Sequence, residues 1–256
     1  DDVAVAQAAR AGLARERWQA GMVLADAHLA SGRHADALDA YRRHVDPAFA
    51  AGAGHPYYRA RYLKNRAWIE ATAATAGVPG VRLEAAQAPM RAALELEVSR
   101  EDAPEVALSR LNLAWVALKL GQPAQAQGLL GQVERRLLTG EAPLTADWLA
   151  AELTEGPAAE AAFTALAERA RARPGGEEHA WRAALGLGRL RRARGDREGA
   201  WAAFQAGLAD LDRAARGAAL RAGLAPFFAD RRALVEEALS LLLAEGRTAE
   251  AFSVAA

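Results

Sequence analysis

The sequence predicts an all-α chain built from repeated helix pairs, and three observations predict it. Alanine, leucine, arginine and glutamate dominate the 256 residues while β-branched residues are scarce, and the dominant four are strong helix formers. Apolar residues recur at spacings of three and four along most of the chain, the period of a helix face. Four glycines punctuate it in one local frame, each followed five residues later by alanine: Gly32/Ala37, Gly121/Ala126, Gly195/Ala200 and Gly246/Ala251. Each segment reads as an apolar stripe, a glycine stop, a few polar residues and a second amphipathic stripe. Such helix–turn–helix units, repeated, stack into a solenoid, which generally binds molecules through an extended surface.

The first pair is expected at roughly 5–30 and 35–45, with Trp18, Met22, Ala25 and Leu29 on one face and Ala37, Leu38 and Tyr41 on the other. Pro47 and the AlaGlyAlaGlyHisPro run at 51–56 mark a loop. A longer pair follows at 57–76 and 82–97, aromatic through Tyr58, Tyr62 and Trp68, with Pro89 set to kink the second helix or shift its start. The third pair, 104–120 and 123–138, opens each helix on a proline, where the missing amide proton costs nothing. A short fourth pair is expected at 145–153, with Thr145 as N-cap, and 157–172. ArgProGlyGly at 173–176 is the best candidate joint, dividing 1–174 (four pairs, the second and fourth divergent) from 175–256 within one continuous solenoid. Pairs at 177–194 and 197–213, an extended helix around 214–225, and a pair opening near Pro226 complete the array. The chain opens on AspAsp without methionine and stops in a helix that has just begun, so a fragment of a longer protein is expected.

Composition excludes several classes. The 32 basic and 32 acidic residues balance, which asks for neither nucleic acid nor an acidic membrane. No apolar run approaches the roughly 18–20 residues that cross a bilayer, and a secretory leader is not expected. Without cysteine there is no disulfide, thiolate metal site or cysteine nucleophile. A cytoplasmic location is expected, and alanine and arginine usage has a high-GC bacterial flavour.

The glycine frame resembles the tetratricopeptide repeat. The fifth pair supplies Leu187, Gly188, Gly195, Ala200 and Phe204; the first supplies Leu24, Ala25, Gly32, Ala37 and Tyr41; the third supplies Leu113, Ala114, Gly121, Ala126 and Leu130. Small residues let adjacent backbones approach while the larger one fills the hole between them. With one divergent unit in each of the first two gaps between markers, the periods are about 45 and 37, against 34 for the standard repeat. The resemblance implies a right-handed superhelical solenoid of about six antiparallel helix pairs. The stretch 220–252, through Phe227, Phe228, Gly246, Arg247, Ala251 and Phe252, looks like the last repeat before the protease domain of bacterial CHAT proteins, which are caspase-like. That likeness implies the regulatory or recognition arm of a protease whose catalytic domain lies beyond this chain.

No catalytic constellation stands out. His28, His34, His44, His55 and His179 form no metal-ligand spacing and read as packing or surface residues. No GlyXaaSerXaaGly elbow or phosphate loop is present. Glu177/Glu178 and Glu236/Glu237 read as solvated faces or cap charges, and Arg194–Gly195–Asp196 as a turn. An enzyme acting alone, a metal site and a cofactor are therefore not expected. Trp18, Trp68, Trp148, Trp181 and Trp201 read as packing between repeats.

The basic cluster points to a partner. In the repeat frame, Arg182, Arg189 and Arg192 share one face of a first helix, and Trp115 and Lys119 occupy the equivalent line of the third pair. These five are the candidate groove contacts for a protein or peptide carrying acidic groups. Nucleic acid is disfavoured because the aromatics sit at core spacing. The alternative is a free-standing scaffold, adaptor or oligomerisation module.

Overall fold

The structure, a computed structural model, describes residues 2–50, 56–219 and 232–255. Pro226, Phe227 and Phe228, most of the loop at 51–56 and His55 lie outside these residues. Every regular element among the described residues is helical. The chain divides into two compact units, 1–138 and 139–256, each with its own core.

In the first unit, α1 (Asp2–Ala30) pairs with α2 (His34–Ala40), which runs through a π-helical turn (Tyr41–Val45) into α3 (Asp46–Ala50). The π turn presses on α1: a Cβ at Gly21 would fall 2.8 Å from the His44 Cβ. α4 (Pro56–Thr75), α5 (Gln87–Ser99), α6 (Ala103–Lys119) and α7 (Pro123–Gly131) then pack each on its sequence neighbour. Trp18, Met22, Ala25, Leu38, Tyr41 and Ile69 fill one core, and Phe49 stacks on Tyr62 with ring centres 4.1 Å apart. In the second unit α8 (Ala142–Glu152) packs on α9 (Gly156–Arg171), α9 on α10 (Glu177–Ala193), α10 on α11 (Arg197–Ala219), α11 on α12 (Arg232–Ala244) and α12 on α13 (Thr248–Ala255). Its core gathers Trp181, Trp201, Phe204, Leu211, Leu234 and Leu242.

The four marker glycines make one and the same turn. Gly32, Gly121, Gly195 and Gly246 have φ of 69, 69, 80 and 71°, a left-handed backbone that glycine alone adopts without strain. At each, the glycine N–H donates to the carbonyl three residues back, and the next N–H to the carbonyl five back. The N–H of the alanine five residues on donates to the residue after the glycine. Ala37, Ala126 and Ala200 are wholly buried, and Ala251 nearly so, where the two helices of a pair meet. A fifth copy joins α5 to α6 with Glu101 in the glycine position, at φ 55°.

Several boundaries differ from expectation. The helix at 123–138 stops at Gly131, because Gly128 and Gly131 weaken it; a 3-10 turn (Arg135–Leu137) follows. A 3-10 turn (Leu83–Ala86) precedes α5, so Pro89 falls in its first turn, where a missing amide proton is tolerated. α8 starts at Ala142 with Pro143 in its first turn, so Thr145 is interior rather than the N-cap. ArgProGlyGly is a turn between two packed helices of the second unit.

Candidate functional site

α10 carries the basic cluster because it has arginine at 182, 189, 191 and 192, with Arg194 just past its end. Side chains three residues apart share a flank of a helix, and here two such pairs grip two carboxylates. On one flank, Arg189 Nε lies 2.9 Å from Glu237 Oε1 and Arg192 Nη1 lies 2.8 Å from Glu237 Oε2, on α12. Arg192 Nη2 also donates to Ser240 Oγ at 3.1 Å. On the other flank, Arg191 Nε lies 2.9 Å from Glu160 Oε1 on α9, and Arg194 donates to Glu160 Oε2. Hydrogen bonds from Arg194 and then Arg191 hold the Glu160 carboxyl below its ordinary range. A third double grip is buried: Asp210 on α11 is fully enclosed and accepts from Arg171 of α9 and from Arg213.

Arg182 sits two turns before Arg189. Its Nη2 is 2.8 Å from Glu178 Oε1, and its guanidinium lies 5.8 Å from the Trp148 ring centre and 5.5 Å from that of Trp181. The Trp181 indole N–H donates to Glu178 Oε2 at 3.1 Å. Beside them His179 is 4% exposed, with Nε2 3.0 Å from Thr145 Oγ1. Burial, aided by the Arg182 charge, lowers its pKa to about 4 against the opposing pull of Glu178 and Asp147. Burial raises the Glu141 carboxyl, and the Glu178 charge adds to it.

Trp115 and Lys119 lie on α6 of the first unit. Trp115 is 5% exposed, its ring centre 5.0 Å from that of Trp68 on α4, so it faces the interior. Lys119 is exposed, with its ammonium 5.7 Å from the Trp115 ring centre. The same unit buries a charge cluster: Lys64 of α4 meets Glu97 of α5 at 2.9 Å and also Glu105 of α6. Burial raises the Glu97 carboxyl despite the Lys64 charge.

Sequence reasoning reads Glu236/Glu237 as a solvated face. Glu236 does pair with Arg232 one turn away, but Glu237 is the counter-ion of α10. Arg194 and Asp196 are both engaged, the first by Glu160 and the second by capping the Gly199 N–H at 2.8 Å. Among the described residues no group of three or more His, Asp or Glu side chains is placed to hold a metal ion, and no helix is long and apolar enough to cross a membrane. No known family model matches this sequence, and no curated protein matches it.

Proposed function

We propose that this chain is a tetratricopeptide-like repeat region, a right-handed superhelical array of about six antiparallel helix pairs, that binds protein or peptide segments bearing acidic groups. The recurring glycine cap with its buried alanine supports the repeat reading, since it joins helix pairs in one geometry along the chain. The observation that carries the binding reading is a row of partly exposed guanidiniums on α10: Arg189 and Arg192 meet Glu237 of α12, and Arg182 meets Glu178 with Glu141 nearby. Lys119 above Trp115 adds a cation in the third pair. In this reading the region is the regulatory or recognition arm of a cytoplasmic CHAT-type bacterial protease. It carries no catalysis or cofactor of its own, and docking of the target repositions the effector domain.

The test is capture of an acidic peptide by the wild-type chain and by a variant with Arg182, Arg189 and Arg192 all changed to Glu. Loss of capture with an unchanged helical circular dichroism spectrum supports the assignment; retained capture overturns it. One observation favours the second reading, an adaptor or oligomerisation module. Leu243 and Phe252, on α12 and α13, are 59% and 75% exposed. Phe252 stands six residues after its turn glycine, where Trp201 in the preceding pair is 9% exposed. Sedimentation of the wild type and of Phe252→Ser decides it: a dimer lost in the variant supports this second reading, and a monomer in both removes it.

A further inference from the structure

Neighbouring pairs of the second unit mesh in a register that can be counted from the glycine of each turn. Arg192, three residues before Gly195, lies 2.8 Å from Glu237, nine before Gly246. Trp201, six after Gly195, has its ring centre 5.1 Å from the guanidinium of Arg247, one after Gly246. A Cβ at Gly207 of α11 would fall 3.1 Å from Leu234, twelve before Gly246. Gly186, nine before Gly195, faces the Phe163 ring of α9 in the pair before. The flank of a first helix from about twelve to five residues before its glycine is therefore the flank it turns to the preceding pair.

That flank is buried where a preceding helix packs on it. Twelve, eight and five residues before the glycine, α12 buries Leu234, Ala238 and Leu241, and α6 buries Ser109, Leu113 and Val116. These spacings of three and four keep the residues on one face. On α1 the same positions are Ala20, Leu24 and Ala27, and all three are exposed. Val23, nine before Gly32, is 69% exposed among them. The opposite flank of the sixth pair is exposed too: Leu243 holds the place of Arg192, and Phe252 the place of Trp201. Arg33, one after Gly32, holds the place of Arg247, and its buried Nε has no hydrogen-bond partner among the described residues.

Resting on the repeat reading of the fold and not on acidic-segment binding, we propose that a second copy of this chain covers these flanks head to tail. α1 and its turn in one copy seat on α12 and α13 of another, as the sixth pair seats on the fifth. Leu243 then meets Val23, where the register within the chain sets Arg192 on Glu237. Phe252 lies under Arg33, where it sets Trp201 under Arg247. The register carried from one copy to the other thus brings apolar onto apolar and a guanidinium onto a ring, and apolar area removed from water favours association. The two surfaces differ, so the contact is heterologous and has no two-fold axis.

The experiment is sedimentation of the full chain. Its mass is expected to rise with concentration over about 1–100 μM, the span of a small interface. Val23→Ser/Leu24→Ser removes one surface and Leu243→Ser/Phe252→Ser the other, and each variant alone is expected to associate at least about tenfold more weakly. An equimolar mixture of the two recovers association and stops at a heterodimer, because each supplies the surface the other lacks; recovery also shows that both are folded. Arg33→Gln is expected to weaken association about two- to fivefold, the worth of an exposed cation–π contact. Acidic-peptide capture by both double variants is expected to equal wild type, so failure of that reading shows separately. Three results overturn the head-to-tail contact. One is a wild-type chain that stays monomeric, which leaves these flanks to another repeat or a different protein. Another is a Val23→Ser/Leu24→Ser variant that associates like wild type, which points to a two-fold contact between sixth pairs. The third is a mixture that stays monomeric although each variant keeps its helical circular dichroism spectrum.

Discussion

The Phe204 ring of α11 lies so close to Gly188 of α10 that a Cβ built there would come within 2.2 Å of it. Two residues earlier, Gly186 meets the Phe163 ring of α9 in the same way, at 2.5 Å. The two glycines let α10 sit between an aromatic ring on either side, and helix packing of this closeness needs a missing side chain. Gly188→Ala is expected to cost about 1–3 kcal/mol through overpacking. Phe204→Leu in the same chain should recover part of that loss. Urea midpoints of the two single variants and the double measure the coupling, and strict additivity would refute the contact.

Glu101 holds a left-handed backbone that costs an L-residue about 1–2 kcal/mol. Its side chain is exposed. Glu101→Gly is therefore expected to stabilise the first unit by about 1 kcal/mol, less the entropy glycine adds to the unfolded chain. A urea midpoint that falls would contradict the strain.

Lys64 and Glu97 are buried at 4% and 1% exposure between α4, α5 and α6. Lys64→Met leaves Glu97 and the partly exposed Glu105 without their cation and is expected to cost about 3–5 kcal/mol. Lys64→Met/Glu97→Leu should return most of that, because the apolar pair needs no desolvation of charge and Glu105, 35% exposed, keeps contact with water. Thermal melts of the single and double variants check this; a double variant no better than the single would show that the cluster's worth lies in packing.

His179 links stability to pH. Its folded pKa of about 4 lies below the ordinary 6.5, so within that window the unfolded chain takes up a proton that the folded chain refuses. The stability is full above about pH 6.5 and drains away as the pH falls to 4, by at most about 3 kcal/mol. Urea titrations at steps through this window should show a shallower slope for His179→Gln. An unchanged slope would mean that other groups carry the acid sensitivity.

The helices and the four glycine caps were legible because each has a local cause. A stripe at helical spacing signals a buried face, and a left-handed cap selects glycine. The fifth cap was invisible because Glu101 carries no such mark. Thr145 misled because two start signals compete within four residues, and Pro143 in the first turn prevails over a cap hydroxyl. The face shared by Arg189 and Arg192 could be read from their spacing. Their counter-ion could not, since Glu237 lies 48 residues from Arg189 and depends on which helices meet. For the same reason the burial of Trp115 against Trp68 is a property of α4 beside α6 and not of either helix alone.

The order in which the helices pack has a consequence for how the chain reaches its structure. Within each unit a helix rests chiefly on the one before and the one after it in sequence. Few long loops must close before a favourable contact forms, so folding should be fast for the chain's size and can begin at any pair. Amide exchange should then be graded within the second unit, slowest where α10 is clasped between α9 and α11.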